Sequence, residues 1–79
     1  MTSAPVPKWR RGPEGRLLAE VGELRLEVYR SLERPNTARF TVLRRQYGRG
    51  SLFALIDSGT ASGLFAAMRA AEKAVSRFL

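Results

Sequence analysis

The sequence predicts an α+β domain, a four-stranded antiparallel β-meander with one C-terminal α-helix packed on one face. Three observations carry that expectation. The stretch Asp57–Leu79 opens with Ser58, Gly59, Thr60 and Ser62 and continues without proline through residues that favour helix. Within it Leu64, Ala67, Met68, Ala71, Val75 and Phe78 recur at three- and four-residue spacings and so share one helix face. Upstream, runs with alternating apolar residues are separated by glycine- and proline-bearing turns, the pattern of strands that could cover that face.

Residues 1–15 read as a flexible, basic leader rich in Pro and Gly, and 16–79 as a single ββββα domain. Met1–Pro7 is expected to be disordered and Lys8–Arg11 extended, with Trp9 as the anchor. Arg16–Val21 and Leu24–Ser31 flank Gly22-Glu23, and a two-residue loop with Gly first signals a type II′ hairpin. That turn sets Val21 opposite Leu24, Ala19 opposite Leu26 and Leu17 opposite Val28, with Glu20 meeting Arg25 on the other side. A loop at Leu32–Ala38 leads to a third strand, Arg39–Arg45, placing Phe40 and Val42 on the hairpin's apolar face. After a turn at Gln46–Ser51, the fourth strand is Leu52–Asp57, apolar at nearly every position. Gly59 is then expected to serve the strand-to-helix turn, Gly63 to let the helix's first turn approach the sheet, and Thr60 or Ser62 to act as N-cap.

The composition bounds the chemistry. Seventy-nine residues form one small domain, and a 44% hydrophobic content is that of a globular chain. With neither Cys nor His, the chain has no disulfide, no thiolate ligand and no imidazole base. The acidic residues are scattered, Glu72 reading as part of a solvated helix face, and the serines lack an activating partner. The glycines do not make a phosphate loop. The sequence therefore reads as that of a non-enzyme without cofactor or metal. No apolar run is long enough to span a membrane, no signal peptide is evident, and a cytoplasmic setting is expected.

Fourteen basic residues against seven acidic ones give a net charge of +7, and twelve of the fourteen are arginine. Such a balance attracts acidic partners, and arginine's planar fork suits phosphate, carboxylate and aromatic faces. One helix covers one face of a sheet, so the opposite face should expose Leu18, Arg25, Glu27, Tyr29, Arg39, Thr41, Leu43 and Arg45. Phe53 and Leu55 join them if Leu52, Ala54 and Ile56 turn toward the helix. Arg25, Tyr29, Arg39, Leu43, Arg44, Arg45, Arg49 and Phe53 are the candidate partner-binding residues. Three uses compete: a protein-docking face, homodimeric or with another partner, a nucleic-acid platform, or a patch covered by the leader through Trp9.

Two resemblances add to this. From Arg39, RFTVLRR, then GRG and LIDSGTASGLFAAMRAAEKAVSRFL, the chain resembles the strand-strand-helix end of double-stranded-RNA-binding domains. That family sets phosphate-gripping lysines at the helix start, where this chain has Ala61, Ser62, Gly63, Leu64 and Phe65, so the RNA contacts do not carry over. Over nearly the whole chain, the Trp9 leader, the Gly22 hairpin, two further strands, SGTAS and the AAMRAAEKA helix are similar to short phage and prophage proteins. Some small phage proteins of this size are anti-defence inhibitors, anti-CRISPR proteins among them. This resemblance implies a protein that binds and obstructs a host protein or nucleoprotein complex. The charge of +7 argues against imitation of DNA and for capping an acidic or RNA-containing surface. The alternative is direct nucleic-acid binding through Arg25, Arg39, Arg44, Arg45 and Arg49.

Overall fold

In the computed structural model, which describes residues 7–46 and 52–78, the hairpin sets the frame. Strands β2 (Leu17–Val21) and β3 (Leu24–Arg30) pair in the register anticipated from the turn, Val21 with Leu24, Ala19 with Leu26 and Leu17 with Val28. Gly22 takes φ +59 while Glu23 keeps a negative φ, as a type II′ turn requires. Strand β4 (Ala38–Gln46) pairs with β3, and β5 (Leu52–Ala61) pairs with β4. All pairings are antiparallel and the spatial order follows the chain.

Two features enlarge the expected sheet. A two-residue strand β1 (Arg10–Arg11) pairs with β2, so the sheet has five strands where four were anticipated. A one-turn 3₁₀ helix, Pro13–Gly15, joins β1 to β2 through Glu14 and Gly15, both at positive φ. Part of the leader is thus ordered structure, while the disorder expected of Met1–Pro7 falls almost wholly outside the described residues.

Strand β5 also runs to Ala61, beyond the expected end at Asp57. Its register shifts once: Val42 faces Asp57 whereas Leu43 faces Leu55, leaving Ile56 as the extra residue of a β-bulge. In an uninterrupted strand Phe53, Leu55, Asp57 and Gly59 would all face one way. The bulge changes the phase, so Leu55 and Phe53 follow Leu43 and Arg45 outward, and Gly59 follows Phe40 inward.

Helix α1 (Leu64–Val75) lies across β3, β4 and β5 and buries Ala67, Ala71, Ala74 and Val75. Three alanines let its backbone come close to Leu26, Val28 and Val42, the bulkiest fully buried side chains. At about 1.5–3 kcal/mol for each large aliphatic side chain removed from water, this two-layer core is the main source of stability. Leu64, Met68 and Phe78 pack at its margin, as the helical spacing anticipated.

The helix start differs from expectation. The N-cap is Gly63, at φ +103 with no side-chain cap, so neither Thr60 nor Ser62 fills that role. Gly63 has open space where a Cβ would stand, and its backbone angle, not close approach to the sheet, calls for glycine there. Gly59 belongs to β5 and makes no turn; a Cβ on it would lie 2.7 Å from the Phe40 ring. Trp9 anchors the leader as anticipated, but through the helix: its Nε1 donates to Glu72 Oε2 at 3.0 Å, and its ring packs on the core. Glu72 is therefore half-buried and engaged, not part of a solvated face.

Candidate interaction face

The face of the sheet away from α1 is built by alternation. On β3, Leu24, Leu26 and Val28 are buried in the core, so Arg25, Glu27 and Tyr29 project the other way. The register then sets Leu43 beside Arg25 and Arg39 beside Tyr29 on β4, and Phe53 beside Arg45 and Leu55 beside Leu43 across to β5. Of the residues anticipated for this face, Arg25, Tyr29, Arg39, Leu43, Arg45 and Phe53 are brought together here.

Arg44 is not. It projects to the helix side, with its guanidinium carbon 6.0 Å from the centre of the Phe78 ring, because neighbours in a strand point to opposite faces. Arg49 lies outside the described residues.

The face has a definite chemistry. The Arg25 and Arg45 guanidiniums lie 5.3 and 5.5 Å from the centre of the Phe53 ring. Leu55 is 59% exposed beside them, and Leu43 is half-buried. Arg25 and Glu20 are cross-strand neighbours as anticipated, yet their ion pairs go elsewhere. Glu20 pairs with Arg10 at 3.6 Å, and the carboxylate near Arg25 is that of Glu27, 4.0 Å away. Arg25 Nε is buried without a hydrogen-bond partner. Among the described residues Arg45 has no carboxylate within ion-pair distance, so its charge stands available on the surface.

Two further residues belong to this face and were missed in the sequence. Arg16 stacks on Tyr29 at 4.9 Å from the ring centre while donating to Glu27 at 3.1 Å. It stands first in the run Arg16–Val21, where alternation from Leu17 turns it to this side, but it was not counted among the residues of the face. Leu32, in the β3–β4 loop, is 99% exposed at the rim of a depression of about 670 Å³ lined by Arg16, Tyr29 and Arg39. The described part of the leader covers one margin of this face: Leu18, expected to be exposed there, is buried, with Gly12 against its side chain. Trp9 itself turns to the helix side, while Glu14 and Gly15 line the same depression as Tyr29 and Arg39.

Among the described residues no three His, Cys, Asp or Glu side chains come together as metal ligands, and no helix is long and apolar enough to cross a membrane. Fold and face together define an α+β protein whose five-stranded antiparallel meander carries one C-terminal helix on one side and an arginine-rich, partly apolar surface on the other. Comparison with protein-family models, with curated proteins and with solved structures finds no match.

Proposed function

We propose that this chain is a non-enzymatic binding protein whose open sheet face docks on an acidic, partly apolar surface of a protein or nucleoprotein complex. The observation that supports this reading best is the Arg25–Phe53–Arg45 cluster beside exposed Leu55. A ring with two cations beside it is an apolar centre with charges already placed around it, the composition of a protein interface hot spot. Base stacking needs a free ring face. Phe53 has two guanidiniums near its ring and Tyr29 has one, which favours a protein surface over bare nucleic acid as the target. Docking that obstructs a host complex in a phage-type setting is the role the sequence resemblance supplies, and it is part of the same proposal.

The test compares retention of cellular partners by the wild type, Phe53→Ala and Arg45→Glu, in parallel with titrations of single- and double-stranded DNA and RNA. A protein partner held at raised salt by the wild type and released by both variants is the expected result. Tight nucleic-acid binding that weakens steeply with salt, and is indifferent to Phe53→Ala, would replace this reading with the direct nucleic-acid one.

A further inference from the structure

The two edges of the sheet are unequal. The β1 edge is two residues long, and both are arginine, so shortness and charge blunt it. The β5 edge is ten residues long, LFALIDSGTA, and holds one charged residue, Asp57, with no Pro, Lys or Arg. Among the described residues nothing pairs with its outer side. In a chain with fourteen basic residues this is the one long stretch of edge free of them.

From this asymmetry we propose that β5 pairs, antiparallel and about a two-fold axis, with β5 of a second copy, joining two five-stranded sheets into one. A second copy is the fitting occupant because this edge is where two strongly basic chains meet without opposing arginines. The nearest arginines of the sheet in register, Arg39, Arg44 and Arg45, sit one strand back on β4. Across the joined sheet the two β4 strands stand three strand spacings apart, about 14 Å, beyond the screening length of about 8 Å at physiological salt. The edge's backbone is positioned for the pairing. Ser58 N–H donates to the carboxylate of Asp57 at 2.8 Å, so it points away from β4, and by alternation the N–H of Thr60 does too. Both donors face the outer edge: an incoming carbonyl would take that of Thr60 directly, and that of Ser58 in exchange for the Asp57 carboxylate. The exposed Leu52 and Leu55, 62% and 59% accessible, lie along the same edge and lose water on pairing. The bulge at Ile56 divides the edge, and the two-fold sets Leu52–Leu55 of one copy against Ser58–Ala61 of the other.

Sedimentation equilibrium of the full chain over a wide dilution series tests this. The expected result is a reversible species of twice the 8.8 kDa chain mass. Thr60→Pro removes an outward donor that the protomer's own ladder does not use, and the symmetry counts that loss twice. It should raise the dissociation constant by roughly thirtyfold, with the far-UV circular dichroism of the protomer kept. Thr60→Lys, which leaves the backbone intact and places like charges on the edge, should act in the same direction. A chain that is monomeric at every concentration overturns the proposal. So does a dimer untouched by both Thr60 variants, or one dispersed only by Leu43→Lys on the open face. Since Phe53 and Arg45 are unaltered in the edge variants, failure here leaves the proposed docking face standing.

Discussion

Gly59→Ala is the substitution that most directly probes how the two layers meet. A Cβ at this position would stand 2.7 and 2.8 Å from two carbons of the Phe40 ring, where carbon–carbon contact is comfortable at about 3.5–4.0 Å. The ring must retreat by about 1 Å, and Phe40 is 8% exposed within the core cluster. Overpacking of this kind costs about 1–3 kcal/mol, against a gain of about 0.4–1 kcal/mol from the smaller entropy of the unfolded chain. The net loss is about 1–2 kcal/mol, or roughly 5–15 °C in Tm for a domain of this size. Thermal melts and urea titrations read it. Because Gly59 has no positive φ, the same change in a Phe40→Leu background, where the ring is gone, should be neutral or slightly stabilising. A Gly59→Ala protein as stable as the parent, or one that Phe40→Leu fails to rescue, would refute the reasoning and return Gly59 to a backbone role.

Three further outcomes follow from the packing and the face. Trp9→Phe keeps the ring's apolar contact but leaves Glu72 without its donor, and should cost about 1–2 kcal/mol in urea denaturation. Leu26→Ala, at a position with no exposure, should cost about 2–5 kcal/mol, a large share of the roughly 4–12 kcal/mol open to a chain of this length; chemical denaturation should show the midpoint moved far to lower denaturant. Arg25→Met removes a buried, unpartnered Nε along with the cation beside Phe53, so stability should shift by less than about 1 kcal/mol while partner retention falls, a separation that melting and binding assays on one sample will show.

The parts of this fold that were legible in the sequence are those fixed by short-range rules. Gly22-Glu23 admits one hairpin geometry, and from it the phase of Leu17, Ala19 and Val21 against Leu24, Leu26 and Val28 follows by alternation alone. The helical stripe from Leu64 to Phe78 was equally plain in its spacing. What escaped depends on contacts between distant residues. A polar SGTAS run reads as turn and cap, yet β4 extends to Ala38 and offers a ladder that holds Ser58–Ala61 as strand. The bulge at Ile56 leaves no local signature, since any apolar residue fills it; without it the placement of Phe53 outward and Gly59 inward would be contradictory. The candidate face was legible as far as alternation reached, which is why Arg25, Tyr29, Leu43 and Phe53 were brought together. Leu32, in a loop, follows no period and showed no signal, whereas Arg16 was within reach of the alternation from Leu17 and was passed over.

The bond from Trp9 to Glu72 joins residues 63 positions apart, and Trp9 is the sole tryptophan in the chain. Its indole thus rests on the helix that closes the core while its own segment pairs along β2. Emission from this one fluorophore reports the moment when the earliest and latest elements are both in place. Folding measured by its wavelength and folding measured by backbone ellipticity should coincide if the molecule assembles as one unit. Any lag between the two signals would mark a sheet already formed and still waiting for its clasp.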